Sequence, residues 1–553
     1  MLFLDSRESL HNALELLDIF SKYSGLNINV TKTQILCIGS LKKTVKIDLH
    51  HLHGTDISLV NQKFVRYLGI DFCIDLEKLP DFNYDRIFDK LKRQMISWSK
   101  RNISVFGRVV LVKSLLVSQF NHLFMSIPNP SEHLLKAINV SFFKFIWKGK
   151  PDKISRKQIV CSYENGGLKM VDVVHFSRAL KLTWIRRILL NSCEEVTHLM
   201  YAFLRPLSSL EWGKGDIYFT KLSVMVRNCF WKELFQILAF FVRHVQCTSL
   251  FWQATPIWCN SDIKIGGKGI FLKEWWDKGI RFINDLLDDQ GNILVREECE
   301  KKFSIKIQFL HYYALCQIIK CKYKSQLESC NLKVTEPLCP AYVSNLLKEK
   351  KGCRHIYHIM LKERDDHLNI LCNRWYADGV LFDDKYMQYY FRVLFRCTMH
   401  TTVRYFQYRL LNRILFLNKD LVKFNITLDK NCSFCGREEE DMVHFFYYCN
   451  VTKLIWSRLT DWLYNVTRCR IEFSLIHVLL GFIEKRNDAL NCVIIWTKQQ
   501  LYFARIQKTI PTFITIKQCI RNCYLNERQV SILANKTDKF DKKWLNFDRI
   551  LMV

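Results

Sequence analysis

The sequence predicts a mainly α-helical protein with a small α/β portion at its N-terminal end and a compact metal knuckle near the C-terminal end. Three observations carry that expectation. Apolar residues recur every three to four positions through most of the chain, which is the helical period. Only 19 glycines and 9 prolines occur among 553 residues, under half the usual share, so helices meet few breakers. Finally, "NCSFCGREEEDMVHFFYYCN" (431–450) sets Cys432, Cys435, His444 and Cys449 in the spacing C-x2-C-x8-H-x4-C.

Along the chain, residues 10–24 read as an amphipathic helix, with Leu10, Leu14, Leu17 and Phe20 or Ser21 at helical spacing and Gly25 as the stop. "LNINV" and "QILCIG" read as short strands around a Thr-Lys-Thr turn, and "FVRYLGIDF" as another. From residue 84 the period becomes helical: Ile87, Leu91, Met95 and Trp98 form one stripe. Ser104 is positioned to cap "VFGRVVLVKSLLVSQF". Phe176, Leu180, Trp184 and Ile188 form an i, i+4 column in a third helix. Such stripes are core more often than ligand sites. Gly166-Gly167 and Gly266-Gly267 mark turns, and neither pair sits in a phosphate-cradling motif.

A chain of this length, 49% hydrophobic, predicts more than one domain. Its 82 basic residues exceed its 53 acidic ones by 29, a field that attracts polyanions, above all nucleic acid. A membrane surface is the competing partner, but no anchor is seen. "MLFLDSRESL" places Asp5 early and has no basic leader, unlike a signal peptide. The most apolar run, "LFQILAFFVRHV", is too short for a bilayer and is flanked by Lys232, Glu233, Arg243 and His244. The expectation is an intracellular protein, cytoplasmic and/or nuclear, without a membrane partner. Its 22 cysteines are then mostly reduced, buried small hydrophobes.

Cys432, Cys435, His444 and Cys449 supply the Cys3His donor set that zinc takes in a tetrahedron. A tight turn with Gly436 aims the first two thiolates together. Glu438, Glu439 and Glu440 suit the first turn of a short helix delivering His444. That helix must end before Cys449, leaving Asn450 to cap the next, where Ile455, Leu459 and Leu463 share a face. Four protein ligands make the zinc structural. The competing reading, four unrelated residues in a cysteine-rich chain, explains neither the complete spacing nor the turn. Cys353, His355 and His358 lack a second compact ligand pair and read as structural or incidental.

Just upstream, "TTVRYFQYRLLNRILFLNKDLVKF" places Tyr405, Arg409 and Arg413 at i, i+4 and i+8, with Arg404, Phe406 and Tyr408 between them. Guanidinium planes among aromatic rings suit phosphate contact and base stacking. A helix with core rings and solvated arginines is the plainer alternative. Beside a zinc module in a chain this basic, nucleic-acid binding is favoured.

In order and spacing, these segments resemble the C-terminal part of the long open reading frame of non-LTR (LINE-type) retrotransposons. "SGLNINVTKTQ" is similar to the palm segment after the catalytic hairpin, with Lys32 at its lysine. "YLGI" (67–70) is similar to the primer-grip strand. "ISWSKRNISVFGRVVLVKSLL" resembles the thumb, including Trp98, Ser104, Gly107 and Arg108. "FIWKGKPDKISRKQIVCSYENGGLKMVDV" and "PIWCNSDIKIGGKGIFLKEWWDKGIRFINDLLDDQGNIL" resemble the connecting and C-terminal segments. The 431–450 stretch resembles the zinc-binding end.

The resemblance implies a palm end over 1–72, a thumb-like helical region over 73–170 and a helical region over 171–425. A CCHC segment over 426–466 and a helical tail over 467–553 complete the division. Nucleic-acid contacts would then come from Lys92, Arg93, Arg108 and Lys113 of the thumb, and from Arg404, Tyr405, Arg409 and Arg413.

Intact relatives are RNA-directed DNA polymerases that use Mg2+ held by aspartates. The Ala-Asp-Asp hairpin carrying two of these belongs just before "MLFLD", which looks like the strand leaving it. "WYADG" (375–379) lacks the second carboxylate, and Asp383-Asp384 and Asp288-Asp289 lack a strand-turn-strand frame. The expectation is a fragment that binds RNA and/or DNA without polymerising, with Lys32 a relic and zinc its only cofactor. A zinc-containing interaction scaffold, or a decayed product that does not fold, is the alternative. Oligomeric state, template and target preference stay open. Residues 1–72 are expected to expose apolar faces that absent strands would cover.

Overall fold

The computed structural model describes residues 2–26, 29, 32–52, 55–190, 212–246, 249–329, 339–349, 352–361, 366–547 and 549–552. The chain is mainly helical, as its period and its few breakers predict. Two compact units form: one from Met1–Gln94, Leu116–Asn139 and Asp172–Lys362, the other from Met95–Leu115, Val140–Val171 and Glu363–Val553.

In the first unit, helix α1 (Arg7–Ser24) starts where the Ser6 side chain accepts from Ser9 N–H, and stops at Gly25, whose φ of 72° is left-handed. Leu14 is buried, while Leu16, Ile19, Phe20 and Tyr23 are 66%, 51%, 56% and 89% exposed. That outward apolar face is the exposure expected of this region. Residues 2–4 form no strand, "LNINV" lies mostly outside the described residues, and Ile35 makes only a single bridge to Asn61.

The strands that do form are β1 (Lys46–Leu52) and β2 (Thr55–Val60), and β3 (Phe64–Tyr67) and β4 (Ile70–Cys73), each pair antiparallel. "FVRYLGIDF" is therefore a hairpin and not one strand. Leu68 and Gly69 both have positive φ (50° and 82°), as a two-residue primed turn requires. Asp71 on β4 is 1% exposed; Arg66 pairs with it across the hairpin, and Arg86 reaches it at 2.8 Å.

Helix α2 (Leu79–Ser99) buries Leu91 and Met95 of the stripe read in the sequence together with Tyr84 and Phe88, while Ile87 and Trp98 are half-buried. Ser104 caps helix α3 (Val105–Leu111) by accepting from Gly107 N–H at 3.2 Å. The helical stretch Val105–Ser126 is long and apolar enough to cross a bilayer by length and composition. Phe106, Val109, Val112, Leu116, Val117, Phe120, Leu123 and Phe124 on it are buried, while Val110 and Leu115 are exposed.

Helix α4 (Val173–Leu189) is buried on most sides, and Ala179, Leu182 and Ile185 are more enclosed than the Phe176–Trp184 column. With Asp216–Met225, helix α5 (Cys229–Gln246) and the segments Ala341–Leu347 and Arg354–Leu361, it builds one apolar core. A second core gathers Trp252, Trp258, Trp275 and Tyr312.

The second unit holds α6 (Asp366–Ala377), α7 (Met387–Cys397) and α8 (Thr401–Leu411). After the knuckle come α9 (Asn450–Thr467), α10 (Asp488–Gln507), α11 (Phe513–Leu533) and α12 (Thr537–Trp544). Helix α10 is the central one: fifteen of its residues, from Asp488 to Ala504, are buried, and Ile455, Leu459 and Leu463 on α9 are buried as predicted.

Candidate metal centre and basic surface

Residues 430–440 form a miniature hairpin. Asn431 bridges Glu439 antiparallel, Cys432 N–H donates to Glu438 carbonyl at 2.8 Å, and Glu440 N–H donates to Lys430 carbonyl at 2.9 Å. At its tip Gly436 takes φ 66° and donates to Cys432 carbonyl at 2.8 Å, curling the loop so that Cys432 and Cys435 face one point. The glutamates thus lie on the return strand, not in a helical turn as the sequence reading had it. The helix begins later because Asp441 accepts from His444 N–H at 2.8 Å and acts as its cap.

The route from His444 to Cys449 has a specific solution. Five residues on a regular α-helix would carry Cys449 well off the face of His444. His444–Tyr448 instead form a π turn, closed by Cys449 N–H to His444 carbonyl at 2.8 Å. The extra residue in that turn returns Cys449 to His444's side. Cys449 itself, φ −59° and ψ 132°, then precedes α9 at the position expected for Asn450.

The four donor atoms all lie within 4.8 Å of one another. Cys432 Sγ and Cys449 Sγ are 3.8 Å apart, and Cys435 Sγ and His444 Nε2 3.4 Å. A tetrahedron with zinc bonds of about 2.0–2.3 Å has edges of about this length, so the donors fit zinc. His444 Nδ1 stands 2.7 Å from the Glu438 carboxylate, which leaves Nε2 as the ligand nitrogen. Between the buried thiols, Cys432 donates to Cys449, drawing the Cys449 pKa down and pushing the Cys432 pKa up. Cys432, Cys435, His444 and Cys449 would hold the ion; with all four positions filled by protein it supplies a cross-link, not chemistry.

Behind the donors sits Glu440, fully buried. Its carboxylate accepts from Ser433 N–H at 2.6 Å, from Asn418 N–H at 3.1 Å and from Arg505 Nε on α10. Arg505 also donates to Asn418 Oδ1 at 2.7 Å, so knuckle, loop and central helix are joined by one polar network. Phe434 stacks on Phe445 at 5.0 Å.

The basic residues singled out in the sequence have different fates. Arg108 is 1% exposed; its Nη1 donates to Phe145 carbonyl at 2.8 Å, so it is a packing residue and not a phosphate contact. Arg413 leaves the expected column because α8 ends at Leu411 in a Schellman motif: Ile414 N–H reaches Arg409 carbonyl and Arg413 N–H reaches Leu410 carbonyl, both at 2.9 Å. Its guanidinium pairs with Asp378 and lies 4.6 Å from the Trp375 ring. "WYADG" is accordingly a helix C-terminus whose carboxylate is engaged. Arg404 donates to Thr398 and Phe395 carbonyls and stacks on Phe395, closing the end of α7. Lys92, Arg93 and Lys113 are exposed, and Lys92 pairs with Asp89 at 2.9 Å; Lys32 is exposed too.

Arg409 and Tyr405 lie side by side, as their i, i+4 spacing predicts, and have further neighbours not read in the sequence. Arg409 lies 5.2 Å from the Tyr405 ring and 5.7 Å from the Tyr502 ring, and its buried Nε has no hydrogen-bond partner among the described residues. Lys153 Nζ lies 5.8 Å from the Tyr405 ring. Burial, then Arg409, then Lys150, lowers the Lys153 pKa, since desolvation and neighbouring cations both disfavour its charged form. The signal was present in the basic spacing of "KGKPDKISRK", residues 148 to 157.

Residues 371–456 match the family model described as zinc-binding in reverse transcriptase. The matched stretch runs from inside α6 into α9 and contains all four donors, so the C-terminal part of this chain carries a reverse-transcriptase-related zinc-binding region.

Proposed function

We propose that this chain binds RNA or DNA as the C-terminal part of a non-LTR (LINE-type) retroelement protein, with zinc in a purely structural role. The observation that carries the reading is the approach of Lys153 and Arg409 to Tyr405, with Tyr502 beside Arg409 and Lys150 near enough to Lys153 to lower its pKa. Neighbouring cations repel one another, and an anion relieves that repulsion; the flanking rings supply stacking surface for a base. The knuckle serves this surface indirectly. Arg505 lies one turn beyond Tyr502 on α10 and is held by Glu440, so the zinc hairpin fixes the helix that presents the ring.

The residues quoted as palm-like supply no paired aspartates, and Asp378 is held by Arg413, so the chain as it stands binds without extending a primer. Lys92, Arg93 and Lys113, all exposed, would add thumb-like contacts.

Two measurements on the purified full chain test this. Fluorescence anisotropy with a labelled single-stranded oligonucleotide should show affinity falling steeply with salt, as counterion release requires. Template–primer extension with Mg2+ and dNTPs should give no product. Salt-insensitive or absent binding would favour an interaction scaffold, and robust incorporation would sink the non-polymerising reading.

A further inference from the structure

Beyond the matched segment, α10 and α11 bring a second set of soft donors together. Cys492 Sγ and Cys523 Sγ are 4.0 Å apart, close to the edge between two thiolates sharing one zinc. Glu527 follows Cys523 by one turn on α11, on the same face. The two sulfurs and a Glu527 oxygen all lie within 4.8 Å of one another. Cys492 is fully buried and Cys523 is 8% exposed. A cavity of about 280 Å³, lined among others by Thr398, His400, Asn526, Cys523 and Glu527, opens beside them.

A pair of buried cysteines is ordinarily small apolar packing. Here a carboxylate and an ammonium share the same interior. Lys543 on α12 donates to both Glu527 oxygens, at 2.7 and 2.8 Å, and to Cys397 carbonyl at 2.6 Å, with its side chain 11% exposed. Packing alone gives no reason to desolvate an ion pair against a thiol pair. A cation site does. Two thiolates and one carboxylate facing a divalent ion and one ammonium leave the buried cluster without net charge. Each Glu527 oxygen also keeps a lone pair beyond the one Lys543 occupies.

We propose that Cys492, Cys523 and Glu527 form a second site for a borderline-soft divalent cation, zinc by donor chemistry, with its fourth position left to water in the cavity. Binding replaces the two thiol protons by the ion and releases them to solvent, with no change in oxidation state. Unlike the knuckle, the site keeps an open position, so its ion exchanges with chelators more readily. The site lies outside residues 371–456 and is independent of how the chain treats nucleic acid.

The test is metal counting on the full chain, stripped with chelator and kept under reductant, then titrated with Cd2+. Wild type should take up two equivalents and release one in a faster phase to a competing chelator. C492S/C523S should take up one and lose the fast phase. Cys435→Ser should keep the fast phase, which separates a failure of this site from a failure of the knuckle. Retention of the slow knuckle equivalent by C492S/C523S shows that the variant is folded; an alternative pair, C492A/C523A, serves if it is not. A single equivalent in fully reduced wild type would overturn the proposal, as would two equivalents in the double variant.

Discussion

Arg505 on the central helix of the second unit forms a buried ion pair with Glu440 of the zinc hairpin, with side-chain exposures of 9% and 0%. Removing one partner of such a pair strands a charge where water cannot reach it, at a cost of about 3–5 kcal/mol. Arg505→Met is therefore expected to destabilise the zinc-loaded protein by about that much in denaturant unfolding. Glu440→Gln should cost less, since its one amide oxygen can still accept from both Asn418 N–H and Arg505 Nε, although Ser433 N–H then faces the amide nitrogen. The double variant should lose less than the two single losses combined, because neither charge is then left alone. Additive losses would show that the pair does not couple.

Chelation should act locally first. Cys432, Glu440 and Cys449 N–H groups are bonded to Glu438, Lys430 and His444 carbonyls within the knuckle. Without zinc to hold the hairpin against the π turn, these amides should lose hydrogen-exchange protection by orders of magnitude. Amides in the buried middle of the helix Asp488–Gln507 should keep theirs. Equal loss in both would mean that the metal supports the whole unit.

Arg108 separates packing from charge. Its guanidinium donates to Phe145 carbonyl at 2.8 Å and lies 4.8 Å from the Phe145 ring. Lysine keeps the charge but not the planar fork. Arg108→Lys should therefore cost about 1–3 kcal/mol of stability and leave the salt dependence of nucleic-acid binding unchanged. A changed salt slope without a stability loss would restore Arg108 as a phosphate contact.

Lys181 gives a pH signature. It is fully buried, donating to Ile127 carbonyl at 2.7 Å, with Glu233 at 3.3 Å. Burial lowers its pKa to about 8, against the partial opposition of Glu233. Unfolded, the lysine holds its proton until near 10.5, so between these values the unfolded state binds more protons. Stability should therefore rise with pH across that window, by at most about 1.4 kcal/mol per unit. Below it the burial penalty is constant. Comparing wild type with Lys181→Met isolates this rise from other groups titrating there; identical pH slopes would contradict it.

Helices and metal donors were legible because their signals are local. The Gly25 stop, the Ser104 cap, the buried row of Ile455, Leu459 and Leu463, and the C-x2-C turn need only neighbours in sequence. What was not legible depended on distant partners. Arg413 was misplaced because Asp378 and Trp375 hold it past the end of its helix. Arg108 reads as a surface cation until Phe145 folds over it. The glutamates after Cys435 suit a helix start, but the hairpin to Asn431 overrides that preference. Cys492 and Cys523, thirty-one residues apart, meet only through the packing of two helices.

The central claim is that the Lys150, Lys153 and Arg409 cluster grips phosphates. The most direct test is the slope of log affinity against log salt for a single-stranded oligonucleotide, in wild type and in K150Q/K153Q/R409Q. Each phosphate contact contributes a slope of about 0.7, so the triple variant should lose about 2 while keeping its zinc. A slope unchanged by the three substitutions, in a protein still folded and zinc-loaded, would contradict the account.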